Sequence, residues 1–383
     1  MADKRVVLVT GASEYWGARV AAQLLARDDL HVIGLDEAPP KEKIKGLDFI
    51  EADIRNPVLM ELLQAERVDT VCHLAFLESA RANEAAFDLN VMGTMKVLGA
   101  CAEAGVRKVV LRSSTLVYGA QASNSAFLRE DAPLHGAKEY DYIRSLVEIE
   151  AFANGFRRQQ PEMVISTLRF AHIVGPTADT PMTRFLRDEE ALVLMGFDPM
   201  MQVIHEDDVV SALAHAVLTD VPGVFNVAAE GNMPLWKVMG LAGKLPMPTL
   251  HPVAYLAVQF MGPRFAPIAL DYLRYPCVGD LAKLRAEFGF APQYTAAEAL
   301  REFASKQRVR QYMPESIAQQ QEEERLRDVI ERRRRAREQG AEPGNGRAPR
   351  KTSKARKPRA AKIQTPVEET SLINNNDEEN GNG

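Results

Sequence analysis

From Arg5 to Phe170 the chain alternates between two hydrophobic patterns. Runs that are apolar at nearly every position, VVLVT, HVIGLD, DFIEAD, DTVCHLA, KVVLRSS and MVISTLRF, are separated by segments whose apolar residues recur at helical spacing: Trp16–Arg27, Pro57–Gln64, the stretch through Val91 to Ala104, and Tyr140–Gln160. A strand that is apolar on both sides is buried on both sides, which calls for a parallel sheet covered by helices. The pattern therefore predicts an α/β fold built on a doubly wound parallel sheet.

After Gly175-Pro176 the rhythm loosens, punctuated by Pro181, Pro199, Pro222, Pro234, Pro246 and Pro248. Residues 1–176 are expected to form a nucleotide-binding domain to which later segments return, and 177–305 a smaller substrate-binding region. Within that region His251–Tyr275 is rich in methionine and aromatic residues. It reads either as a lipid-facing surface or as buried helices, and the breaks at Gly262, Pro263 and Pro267 favour buried helices. A charged helix is expected over 306–340. Residues 341–383, with a basic block and an acidic end, hold too few apolar residues to pack and are expected to be a disordered tail. The basic block either touches an anionic surface or is simply solvated.

Composition changes this picture only in part. With 46% hydrophobic residues the chain can bury a sizeable core, and a net charge of −5 argues against a protein that is wholly nucleic-acid-binding. Cys72, Cys101 and Cys277 are far apart and none sits in a zinc-ligand spacing, so reduced core thiols are expected and no metal site. MADKRVVLVTG holds no apolar stretch of signal or membrane-span length, and a cytoplasmic location is the expectation.

The stretch TGASEYWG, following the first apolar run, reads as strand, tight turn and helix start. Gly11 and Gly17, with Ser13, Glu14, Tyr15 and Trp16 between them, would bring bare backbone N–H groups and a positive helix end to a pyrophosphate. HVIGLD closes the second strand with Asp36, about twenty residues on, where a carboxylate accepts the adenosine ribose hydroxyls of NAD and repels the extra phosphate of NADP. Glu14 stands where such turns usually carry a third glycine. Pointed outward it reinforces Asp36 in selecting NAD; pointed inward it weakens both dinucleotides by repulsion. VIHEDD, Val203–Asp208, groups a histidine with three carboxylates, but its spacing suits a strand end followed by an acidic helix start, and no metal is assigned to it.

Taken in order, TGASEYWG, Asp53-Ile54, HLAF (His73–Phe76), Asn90 in LNVMGTMKVL, SSTLVYG (Ser113–Gly119), the tyrosine helix, LRFAHIVGP (Leu168–Pro176) and VIHEDDVVSAL make the chain resemble an extended short-chain dehydrogenase/reductase of the NAD-dependent epimerase/dehydratase family. The resemblance covers roughly the first three hundred residues and implies a Rossmann-like sheet with NAD as cofactor. It implies Asp53 and Ile54 beside the adenine, Leu74, Ala75 and Asn90 along the cofactor, backbone groups of Phe170 and Ala171 at the nicotinamide, and Ser114 at the reacting oxygen.

Members of that family carry a tyrosine and, one helical turn on, a lysine that lowers the phenol from about 10 so that it can exchange a proton near neutrality. KEYDYIRSLVEIE offers two registers, neither with that lysine. Tyr140 is followed one turn later by Arg144. Tyr142 is followed by Leu146, but places Ser145 and Glu150 where relatives have serine and glutamate, and is taken here as the acid/base. Lys138 and Arg144 are the cations near enough in sequence to stand in. His172, where relatives often have asparagine, is either a replacement acid or a hydrogen-bonded structural residue. The resemblance implies an oxidoreductase acting on a nucleotide sugar or similar hydroxyl-bearing small molecule through transient hydride removal. The missing lysine leaves open a non-catalytic NAD-binding regulator, and the Met-rich segment a steroid- or lipid-type dehydrogenase or isomerase. A homodimer is an open possibility.

Overall fold

The computed structural model describes residues 4–78, 84–136, 141–187, 190–261 and 267–311. Lys138, Tyr140 and the segments expected as the end of the charged helix and as the tail lie outside the described residues. The elements run β1 (Arg5–Thr10), α1 (Tyr15–Leu24), β2 (Leu30–Asp36), β3 (Asp48–Glu51), α2 (Leu59–Ala65), β4 (Thr70–His73), α3 (Glu84–Phe87), α4 (Gly93–Ala104), β5 (Lys108–Ser114), α5 (Asp141–Gln159) and β6 (Val164–Phe170). Then come β7 (His172–Val174), α6 (Pro181–Phe185), β8 (Glu190–Leu194), β9 (Met200–Met201), β10 (Val203–His205), α7 (Glu206–Leu218) and β11 (Gly223–Val227). The last are β12 (Met233–Pro234), α8 (Leu235–Leu241), β13 (Leu245–Thr249), α9 (His251–Met261) and α10 (Ala296–Gln311).

Seven parallel strands form the main sheet in the order β11-β6-β5-β4-β1-β2-β3. The order reverses between β1 and β4, and ligands of such sheets bind in the crevice beyond the strand ends at that switch point. Helices cover both faces. Val20, Ala21 and Leu24 of α1 pack with Val209, Leu213 and Val217 of α7 on one side; Leu59 and Leu63 of α2, Val97 and Leu98 of α4 and Ala153 of α5 pack on the other. Each large aliphatic side chain buried this way contributes about 1.5–3 kcal/mol. The chain does return to the sheet after residue 177, since β11 adds its outer strand beside β6.

A second core, drawn from α6, β8, α8, α10 and residues 268–273, sits beside the sheet, and α9 stands at its surface. The expectation of buried helices across His251–Tyr275 needs correcting. Leu270, Tyr272 and Leu273 are buried, but among the described side chains of α9 only Ala254 is fully covered, while Val253 is 52%, Leu256 55% and Phe260 83% exposed. Val253, Leu256 and Phe260 recur at helical spacing, so the helix turns an apolar face outward, a feature that composition alone does not reveal.

Candidate active site

The β1–α1 turn is shaped by two close approaches. Gly11 has φ +69°, and a Cβ there would stand 2.7 Å from the backbone of Leu74; a Cβ on Gly17 would stand 2.0 Å from the Gly11 carbonyl oxygen. Only glycines let β4, the turn and the start of α1 come this close. The result is a groove of about 540 Å³ whose walls include Gly11, Ser13, Glu14, Tyr15, Trp16, Asp36, Ile54, Leu74 and Ala75. Nine of the residues expected at the cofactor therefore share one groove, at the sheet's switch point and the N-terminal end of α1.

Asp36 accepts the Ser13 N–H at 2.9 Å and the Glu37 N–H at 2.8 Å, so its carboxylate is held at the rim, and the exposed Glu14 is on the same wall. Leu74 and Ala75 line the groove with their side of the chain while both N–H groups donate to Thr10 Oγ1. Tyr15 donates or accepts with Thr177 Oγ1 at 2.7 Å, and burial pushes its phenol up to about 12.

Other expected contacts are placed differently. Gly17 lies behind the turn and acts through packing. Asp53 is not on the groove wall: Arg55, two residues on, takes its carboxylate with its backbone N–H at 2.7 Å and with Nη2 at 2.6 Å, and that guanidinium holds the carboxyl below its usual range. Asn90, fully buried, clamps the strand exit by accepting the Leu77 N–H and donating to the Leu77 carbonyl. It shapes the groove rather than lining it. The Ala171 N–H is committed to Val227 O at 3.0 Å, and the Phe170 carbonyl accepts Ser114 Oγ at 3.2 Å, so those two backbone groups are already paired.

Phe170 and Ala171 instead line a second, smaller cavity of about 100 Å³, together with Ser114, Tyr142, His172 and Tyr272. Glu78, Arg112 and Arg184 line both spaces, so the cavity and the groove meet. Ser114 and Tyr142 thus line one cavity. Ser114 Oγ also accepts the Leu116 N–H, capping a single helical turn, which fixes the hydroxyl at the strand end. Tyr142 is aimed by its helix: two turns on, Glu150 is buried and paired through both oxygens with Arg169 of β6, at 2.6 Å for the shortest contact. That anchor fixes the register of α5.

Leu146 is fully buried among Val91, Val117, Ile143 and Ile149, and Arg144 is exposed and lines neither space. The idea that Arg144 reaches in is therefore corrected. The cation beside the phenol is Arg112 of β5, whose Nη2 donates to Tyr142 Oη at 3.1 Å and to Glu78 Oε1 at 2.7 Å. Burial raises the Tyr142 phenol and outweighs the lowering by Arg112, so the resting group is protonated. His172 is pushed down to about 4 by burial, so it is neutral near pH 7 and the replacement-acid reading falls. Arg112, Glu78 and Arg184 were missed from the sequence, although a charge inside the apolar run KVVLRSS was a usable signal.

VIHEDD forms β10 and the start of α7. His205 caps the helix by accepting the Asp207 N–H, Glu206 accepts the Thr177 and Ala178 N–H groups, and Asp208 accepts those of Gln293 and Tyr294. These acids hold loops at a helix start, where negative charge is favourable.

The sheet order, the glycine turn and the adjoining serine and tyrosine define the class: a dinucleotide-binding α/β protein of the extended reductase type. The sequence profile described as the NAD dependent epimerase/dehydratase family matches residues 7–228, and the chain belongs to that family. An uncharacterised protein of Mycobacterium tuberculosis is 30% identical over 325 residues, spanning 78% of this chain and 83% of that one. Among solved structures, the UDP-glucose 4-epimerase of Thermotoga maritima with UDP-glucose superposes with a TM-score of 0.62 at 22% identity, covering 79% of this chain and 98% of the other. The UDP-glucose 4-epimerase of Thermus thermophilus in complex with NAD gives 0.61 at 22% identity, covering 79% and 99%. NAD is the family's cofactor, and the glycine cradle and the Asp36 rim fit it. No helix among the described residues is long and apolar enough to cross a membrane.

Proposed function

We propose that the protein is an NAD-dependent oxidoreductase of the epimerase/dehydratase type acting on a nucleotide sugar or a similar hydroxyl-bearing small molecule, with Ser114 and Tyr142 at the reacting oxygen. The observation that carries this reading is the junction itself: the cavity bearing Ser114 and Tyr142 opens onto the dinucleotide groove through Glu78, Arg112 and Arg184. NAD bound in the groove supplies the hydride acceptor. The N-terminal N–H groups of α1, brought up to the groove by the Gly11 turn, would hold the diphosphate; Asp36 and Glu14 would favour an unphosphorylated ribose. Ser114 Oγ, released from Phe170 O, turns its hydrogen to the substrate oxygen. In its deprotonated form Tyr142 takes the proton of the substrate hydroxyl as the carbon gives up its hydride, and returns that proton when the oxygen becomes a hydroxyl again.

A second reading has an observation of its own. The cavity wall is largely apolar, with Leu116, Ile143, Ile173, Met182, Ile268 and Tyr272, which suits a steroid or lipid alcohol. One experiment separates the readings: purify the full chain, identify any retained nicotinamide, and follow reduced nicotinamide by near-ultraviolet absorbance with sugar nucleotides and with sterols. The first reading predicts reduction by a sugar nucleotide that Tyr142→Phe abolishes. Reduction by sterols alone favours the second. Bound NAD that no member of the panel reduces favours a regulator that binds NAD without chemistry.

A further inference from the structure

We propose that Arg112 is the cation of the Tyr142 site: it enters from the sheet instead of the tyrosine helix, positions the phenol with one N–H, and keeps its Nε–H for an acceptor oxygen of the dinucleotide at the seam between groove and cavity. The proposal rests on the role given to Tyr142 above.

Three other segments converge on this side chain. It springs from β5, between Leu111, which is fully buried, and Ser113; it is itself only 5% exposed. A guanidinium so placed is expensive to bury unless each N–H finds an acceptor. Nη2 meets Tyr142 Oη from α5 and Glu78 from the chain after β4, and the guanidinium lies over the Trp16 ring from α1 with its carbon 5.6 Å from the ring centre. The Nε atom is fully buried and has no hydrogen-bond partner. Buried donors are nearly always paired, so a lone one in a side chain that lines two joined cavities points to a ligand.

The other groups facing the phenol do not take this role. Arg184, on α6, is paired with Asp179 and exposed; His172 is uncharged near neutrality; Leu146 lies in an apolar cluster. Glu78 opposes Arg112 by raising the phenol. Burial works against the charge on Arg112, but Tyr142 and Glu78 more than compensate, and the guanidinium remains ionised. Arg112 thus offers a permanent charge at a distance where an opposite charge shifts a neighbour by about one to three pH units.

Two measurements test this. In the full chain with labelled arginine nitrogens, the Nε–H resonance that disappears in Arg112→Lys is expected to shift on addition of NAD alone; an unmoved resonance while NAD demonstrably binds overturns the proposal. In Arg112→Gln, kcat is expected to fall roughly 10- to 1000-fold at neutral pH with KM changing less than about threefold, and the alkaline rise of the rate to move up by about one pH unit or more. Arg112→Lys, which keeps the charge, should hold that rise within about half a unit of the parent. A pH profile for Arg112→Gln superimposable on the parent's overturns the proposal and leaves the proposed function standing. An absence of NAD binding by the parent chain overturns both. If Arg112→Gln does not fold, the resonance shift in the parent still decides the matter.

Discussion

Gly17→Ala isolates what the β1–α1 turn does. A helical Gly-to-Ala change ordinarily stabilises by about 0.8–1 kcal/mol. Here the new Cβ would sit 2.0 Å from the Gly11 carbonyl oxygen and 2.6 Å from its carbon, where ordinary contact begins at 3.4 Å, so α1 and the turn must part by up to 1.4 Å. That carbonyl also accepts the Glu14 N–H at 3.1 Å, the bond that closes the turn. Overpacking of this kind costs about 1–3 kcal/mol, which exceeds the gain in propensity and leaves a net loss of about 0–2 kcal/mol. Affinity should suffer more than stability. One charge-assisted hydrogen bond to the diphosphate is worth about 1.5–3 kcal/mol, and moving the N–H groups by over an ångström removes at least one. NAD should then bind roughly 10- to 100-fold more weakly. Gly99→Ala is the matched control: its Cβ meets nothing within 4 Å in α4, so it should stabilise slightly and leave binding unchanged. Titration calorimetry with NAD and urea denaturation read both quantities. Unaltered NAD affinity in Gly17→Ala would refute the claim that this contact shapes the dinucleotide site.

Three further outcomes follow from other parts of the molecule. Asp36→Asn removes the charge facing a ribose phosphate, and the ratio of NADP to NAD affinity measured by calorimetry should rise about tenfold or more; Glu14→Arg should move it the same way if Glu14 faces the ribose. Glu150→Gln strands the buried Arg169 guanidinium and should lower unfolding free energy by about 3–5 kcal/mol in urea titration, whereas a loss below about 1 kcal/mol contradicts the anchoring role. His73, held between Thr10 and Thr94, is pushed down to about 3 by burial, and His172 to about 4. Both bind protons more readily when unfolded, so the stability they confer is complete above about pH 6.5 and declines as pH falls toward these values. His73→Asn should flatten that decline between pH 6.5 and 4, and an unchanged slope would count against it.

The parts of the fold written in local pattern were legible. The strands apolar on both faces announced the parallel sheet, and Gly11, Gly17 and Asp36 announced the groove, because each acts within one strand–turn–helix unit. Arg112 was missed because its partners stand 30 and 34 residues away on other elements, and no spacing rule links a strand residue to them. The pairing of Asp53 with Arg55, only two residues off, was missed for the opposite reason: it is a local ion pair that the motif reading passed over. The exposure of α9 was missed on burial. Sequence period shows that a helix has an apolar side, and leaves undetermined whether the rest of the chain covers it.

The groove is the centre of this account, and calorimetric titration of the intact chain, stripped of endogenous ligand, with NAD and then NADP tests it most directly. Saturable heat with NAD, at least about tenfold tighter than with NADP, is the predicted result. No heat with NAD in either oxidation state, from a folded sample, would contradict it.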